Sequence, residues 1–168
     1  MSVLARNATE KVTLPSGKTA HVPKHVASFD KWRGHRVPTY GGKAILKLGK
    51  KPYYAELLVL RILRKDGWHG VWVDSYRDQY RVGLPGLVDP VLLPQPQRDF
   101  LERIRRKAGR RGGCFDVFAW RGKRYRFVEL KRRGKDRLRE TQKRWIEAAR
   151  RCGVKMSDLL IVEWDVAS

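Results

Sequence analysis

Residues 114–131 hold the side chains whose types and spacing could do chemistry. Two strand-like runs, CFDVFAW and RYRFVELK, flank Arg121-Gly122-Lys123, and such runs on either side of a glycine are a hairpin signal. If Gly122-Lys123 is a two-residue loop, glycine stands first, as a type II′ turn requires. Residues 121 and 124 then pair, and counting outward along both strands puts Asp116 opposite Glu129, with Cβ atoms about 5 Å apart. Lys131, two positions past Glu129, projects from the same face. Facing carboxylates destabilise a sheet, and a divalent cation removes the conflict. Carboxylate oxygens suit hard ions such as Mg²⁺, which keeps several waters and is held by one or two acids plus a substrate phosphate. This is the equipment for phosphodiester hydrolysis. The plainer alternative makes both acids surface partners of nearby arginines. Against it stand the strict alternation with Phe115, Val117, Ala119, Phe127 and Val128, the register, and the charge of the chain.

That charge is large. Thirty-eight Lys and Arg oppose 17 Asp and Glu across 168 residues, a formal +21, far beyond what solubility asks of a small domain. The expected partner is polyanionic. Nucleic acid comes first, since a duplex offers about one phosphate charge per 1.7 Å of axis and basic side chains release its counterions. An anionic membrane comes second. No apolar run approaches the roughly 20 residues that span a bilayer. The start MSVLARNATEKV lacks the apolar stretch of a secretory signal. A soluble, cytoplasmic protein is expected, nucleoid-associated if the source is bacterial. Cys114 and Cys152 are too few and too isolated for a disulfide framework or a zinc site, and read as buried apolar fillers. His21, His25, His35 and His69 form no HExxH pattern, and Pro23 argues against a helix that would join the first two.

The elements that must position the hairpin follow from periodicity. Residues 1–50 show little sustained period and read as an irregular basic arm, in which Trp32 and Tyr40 could stack on bases or pad the core. After Pro52, YYAELLVLRILRK favours a helix ending near Asp66-Gly67. Glu56 lies three, four and seven residues before Val59, Leu60 and Leu63, so it shares their inward face. WHGVWVDSY reads as a strand, and the prolines and glycines between Arg77 and Gln97 as a surface loop. RDFLERIRRKAGRRGG reads as a short helix with Phe100, Leu101 and Ile104 inward. Its Arg105, Arg106, Lys107, Arg110 and Arg111 are candidate phosphate contacts, with Arg132, Arg133 and Lys135 after the hairpin. Leu138, Gln142, Trp145, Ala149 and Cys152 form one helical stripe with an amide inside it, Gly153 stops that helix, and DLLIVEWDV supplies a final buried strand.

Asp116 followed by Glu129-Leu130-Lys131 resembles the reduced signature of the PD-(D/E)XK nuclease superfamily. GCFDVFAW, RFVELKRRGKDRLRETQKRW and a closing strand, over about residues 53 to 166, are similar to its VRR-NUC branch, with Gln142 at the position of that branch's helical glutamine. Phe115 stands where the superfamily's name places proline. The resemblance implies an α/β, restriction-endonuclease-like core. Its order is helix-strand-strand-strand-helix-strand, a mixed central sheet flanked by helices, spanning 51–168 with an insertion at about 77–112. It also implies that Asp116, Glu129 and the backbone carbonyl of Leu130 hold Mg²⁺ or Mn²⁺, and that Glu56, Lys131 and Gln142 complete the catalytic set. Two adjacent acids favour a charged Lys131, which suits an electrostatic role better than a general base. The expected activity is an endonuclease on DNA, at branched, flapped or junction structures, since relatives of this branch are associated with DNA repair and junction resolution. RNA stays open as a substrate, and a module this small could act as a homodimer. Two other readings are carried: a non-catalytic nucleic-acid-binding protein with a nuclease-like fold, and an RNA scaffold without a metal requirement.

Overall fold

A computed structural model describes residues 2–39, 41–109 and 113–168. Tyr40, Arg110 and Arg111, three of the residues singled out above, lie outside the described residues. Strands β1 (Ala8–Thr13) and β2 (Thr19–Phe29) come first, followed by a small ribbon of β3 (Leu46–Leu48) and β4 (Lys51–Tyr53). Helix α1 (Ala55–Lys65), β5 (His69–Asp74), β6 (Gln79–Arg81) and α2 (Gln95–Ala108) lead to the hairpin of β7 (Val117–Arg121) and β8 (Arg124–Arg132). Helix α3 (Glu140–Arg151) and β9 (Leu159–Val166) close the chain. Among the described residues one seven-stranded mixed sheet runs β1-β2-β9-β8-β7-β5-β6. Within it, α1, β5, β7, β8, α3 and β9 follow the expected helix-strand-strand-strand-helix-strand order, the architecture of a restriction-endonuclease-like fold.

The sheet separates two cores. On one face α1 buries Leu57, Leu58, Leu60 and Leu63 against Val117, Ala119, Val128 and Leu130. On the other, Phe100, Leu101 and Ile104 of α2 and Trp145, Ile146 and Ala149 of α3 pack on Phe118, Phe127 and Ile161. The alternation of β8 follows directly. Val128 and Leu130 face α1, while Phe127, and with it the parity of Glu129 and Lys131, faces α3. Gly70 lets β5 lie close under α1, because a Cβ there would come within 2.7 Å of the Phe118 carbonyl oxygen and 3.0 Å of a Leu60 methyl. At the hairpin tip Gly122 has φ +59°. Lys123 does not share the positive φ, which agrees with a type II′ turn.

Three expectations are corrected. The first fifty residues are not an irregular arm: β2 pairs in parallel with β9, β1 edges the sheet, and Val12, Ala20 and Val22 join the α3-side core. Pro23 and the polar outward positions of these strands masked a period of two that only the distant β9 completes. The stretch from Arg77 to Gln97 is not a plain loop, because Gln79–Arg81 pair with β5 and α2 already begins at Gln95 behind Pro94. Leu138 precedes α3 instead of lying on it, the helix starting at Glu140. Cys114 and Cys152 are free thiols packed on the α3-side core, and burial pushes the Cys114 thiol up to about 12.

Candidate active site

The hairpin ladder runs from Arg121↔Arg124 to Val117↔Val128, the predicted register. It stops one pair short of the acids. Asp116 sits in a bend, where its Oδ2 accepts the Leu130 N–H at 2.8 Å and its backbone carbonyl accepts the Val73 N–H at 2.7 Å. The residue is thereby pinned to the strands on both sides of β7. Since N–H and C=O of one strand residue point to the same side, the Leu130 carbonyl also faces the gap where β7 has ended.

Glu129 is 2% exposed and Lys131 8%. Lys131 Nζ lies 2.9 Å from Glu129 Oε1 and donates to Gln142 Oε1 at 2.9 Å. Gln142 Nε2 donates in turn to Glu129 Oε1 at 2.5 Å. Gln142 is the third residue of α3, and its Oε1 also accepts the Arg139 N–H at 2.8 Å, so one amide both caps the helix and ties Glu129 to Lys131. Glu129 Oε2 is buried and has no hydrogen-bond partner among the described residues. Glu56, in the first turn of α1, is ion-paired with Lys43. Its charge reaches Asp116 and it lines one pocket with Leu130, while Glu129, Lys131 and Gln142 are joined by their own hydrogen bonds on the α3 side of the sheet.

Electrostatics there are those of acids crowded out of water. Burial, then the charge of Glu56, pushes Asp116 up to about 6 against the Leu130 N–H, Lys131 and Lys43. Burial, then Asp116, raises Glu129 well above the usual carboxylate range against the pull of Lys131 and of the Asp116 backbone N–H. One consequence is measurable in metal-free buffer. Below pH about 3.8 Asp116 is protonated folded or unfolded, and its contribution to stability is fully present; it is lost as pH rises through about 6, because the unfolded chain releases the proton first. The melting temperature of the wild type should therefore fall across that window relative to Asp116→Asn. Parallel pH curves for the two proteins would overturn the expectation.

Among the described residues no three His, Cys, Asp or Glu side chains gather closely enough to hold an ion by themselves. The chemistry of the donors nevertheless fits Mg²⁺ or Mn²⁺. Two buried acids, of which Asp116 raises the proton affinity of Glu129, one carboxylate oxygen without a partner among the described residues, and a carbonyl on the strand edge beside them are a hard, oxygen-only set.

Two openings reach these residues. A groove of about 560 Å³ is lined by Lys131 together with Lys11, Lys135, Arg137 and Lys143. Of its three acids, Glu10 and Glu163 are paired with Lys24 at 3.2 and 3.4 Å, and Asp136 accepts the Arg132 N–H at 3.1 Å. A smaller pocket of about 180 Å³, on the α1 side of the sheet, is lined by Lys43, Glu56, Leu130 and Arg132.

The predicted phosphate contacts divide. Arg106, Lys107, Arg133 and Lys135 are exposed, though Arg106 is 4.0 Å from Glu102 and Arg133 3.8 Å from Glu163. Arg105 donates to the Tyr80 hydroxyl at 2.8 Å, and Arg132 lies 5.5 Å over the Trp164 ring, so both serve the fold itself. Sequence reasoning missed Lys43, which carried no signal because its partners lie on α1 and before β7. It also missed Lys11 and Lys143, which only the pairing of β1 and the docking of α3 bring to the groove.

The mixed sheet with its flanking helices is consistent with a restriction-endonuclease-like fold. Residues 91–160, under half of the chain, match the family model described as VRR-NUC domain. The matched span is similar to a nuclease domain of the PD-(D/E)XK-like superfamily, a type of domain that implies a nucleic-acid substrate. The matched span holds Asp116, Glu129, Lys131 and Gln142, whereas Glu56 and Lys43 precede it. No curated protein and no solved structure matched the chain. Among the described residues no helix is long and apolar enough to cross a membrane.

Proposed function

We propose that the protein is a metal-dependent endonuclease that hydrolyses phosphodiester bonds in DNA, with branched, flapped or junction structures as its preferred class. Asp116, Glu129 and the Leu130 carbonyl would hold Mg²⁺ or Mn²⁺. When bound, such an ion lowers the pKa of a water and polarises a scissile phosphate. The chain's own residues do the rest. Asp116 and Glu129 set the position of positive charge at the strand end. Gln142 locks Lys131 and Glu129 in one arrangement through both ends of its amide. Lys131, opening into the basic groove, places an ammonium where charge develops on the phosphate. The groove's lysines and arginine hold the backbone on either side. The observation that carries this reading is the buried Oε2 of Glu129, without a partner among the described residues, beside a second buried acid, an arrangement that a protein without a cation would gain nothing by keeping.

The test uses closed supercoiled DNA, which has no ends, beside branched duplexes and structured RNA, each with Mg²⁺, Mn²⁺ or EDTA. Nicking of the circle that needs the ion, and faster cutting of branched DNA, is the expected result. Binding without cutting under every condition would leave a nucleic-acid-binding protein with a nuclease-like fold. Ion-dependent cutting of RNA alone would keep the chemistry and overturn the substrate.

A further inference from the structure

Lys43 lies outside the matched span, in the segment between β2 and β3, yet its ammonium reaches the carboxylate of Glu56 on α1. It is ion-paired with Glu56 and shares a pocket with Glu56 and Leu130. Burial works against its charge, but Glu56 and then Asp116 offset that and hold the amine above its usual range. We propose that the Lys43 ammonium takes the place of a second divalent cation beside Glu56, so that the carboxylate centre holds one ion. The inference rests on the metal-dependent reading above and concerns how many ions that site takes.

Charge balance argues for it. Glu56, Asp116, Glu129 and the phosphodiester of a bound substrate bring four negative charges. One divalent ion, Lys131 and Lys43 bring four positive ones. A second divalent ion would leave the site two charges in excess, inside a protein that already carries +21. Geometry agrees. The two amines divide the acids between them, Lys131 on Glu129 and Lys43 on Glu56. Asp116, whose charge both amines help to stabilise, is tied by a backbone N–H and meets no ammonium within ion-pair distance among the described residues. Glu56 thus has its cation already, and the donors without one are Asp116, Glu129 Oε2 and the Leu130 carbonyl. Those three donors are what the site still offers an ion. A fixed ammonium also differs from an ion in its consequences. It cannot dissociate, it needs no dehydration, and it cannot bind a leaving oxygen through an exchangeable water.

The experiment counts ions. Mn²⁺ is titrated into the full chain and its Lys43→Arg and Lys43→Gln variants, and free Mn²⁺ is read by electron paramagnetic resonance, with circular dichroism checking that each variant is folded. The wild type and Lys43→Arg should bind one Mn²⁺ per chain. Lys43→Gln should bind two, with the spin coupling of neighbouring ions in its spectrum. Adding Glu56→Gln to that variant should return the count to one. Two ions in the wild type overturn the inference and leave the proposed hydrolysis standing. One ion in Lys43→Gln overturns it equally, because the amine would then not be occupying the second position. No bound ion in the wild type overturns both this inference and the metal-dependent reading. Should Lys43→Gln fail to fold, Lys43→Met, which keeps the length of the side chain without its charge, is counted in its place, with the same two outcomes.

Discussion

Replacing Asp116 by Asn or Glu129 by Gln is expected to slow cleavage by about 10³-fold or more while leaving nucleic-acid binding nearly unchanged. Each change keeps the shape of the side chain and removes one of the two formal charges that would hold the ion. Losing several kcal/mol of charge stabilisation at the reacting phosphate is worth that much, since each ~1.4 kcal/mol is a factor of ten in rate. Binding should survive because the basic groove and the exposed cations around it supply the affinity, and that affinity falls steeply with salt in wild type and variants alike. The two variants should differ in one respect. Asp116→Asn keeps a side-chain oxygen that can accept the Leu130 N–H, whereas Glu129→Gln deprives Lys131 of the carboxylate 2.9 Å away. Asp116→Asn should therefore match or exceed the wild type in metal-free stability above pH about 6, and Glu129→Gln should not. Single-turnover cleavage at saturating Mg²⁺, beside binding measured in Ca²⁺, separates the two effects. Cutting that persists in both variants would place the chemistry elsewhere.

The second large effect is on stability, at the opposite end of the hairpin. Asp158, 2% exposed in the short 3₁₀ turn that leads into β9, accepts from Arg124 Nε and Nη2 at 2.9 Å each and from Arg126 at 3.3 Å. The guanidiniums of Arg126, Arg121 and Arg124 also crowd the Trp68 ring at 4.5, 4.8 and 5.5 Å. Asp158 is the acid that compensates them. Removing one partner of a buried ion pair costs roughly 3–5 kcal/mol, and the partial exposure of Arg124 argues for the lower end. Asp158→Ala should thus lower the melting temperature by about 10 °C in a chain of this length. The cluster ties the turn end of β8 to the start of β9, far from the acids, so cleavage per folded molecule well below the transition should be unchanged. A melting temperature within a degree or so of wild type would show that the arginines find solvent instead.

Much of this protein was determined by local rules. The alternation of CFDVFAW and RYRFVELK with Gly122 between them was enough to set the β7–β8 register, since a two-residue turn leaves no freedom of pairing. The same arithmetic put Asp116 level with Glu129 and placed Lys131 on the Glu129 face. The 3.6-residue stripe of α3 brought Gln142 to the same side as Trp145 and Ala149, facing the sheet.

Other features could be decided only by contacts between segments distant in sequence. Whether residues 8–29 were strand or arm depended on β9, more than a hundred residues later, because a parallel edge is completed by its partner and not by its own period. The ladder ended at Val117 and left Asp116 in a bend because the carboxylate took the Leu130 N–H that a backbone carbonyl would otherwise have taken. Arg105 and Arg132 looked like free cations in the sequence and became stacking partners of Tyr80 and Trp164 once the sheet was assembled. Lys43 reached Glu56 by the packing of a loop with no period to read. Hydrogen bonds and hydrophobic alternation act over a few residues and are written into the order of the chain, whereas electrostatic neighbours are chosen by proximity in space, which only the folded structure supplies.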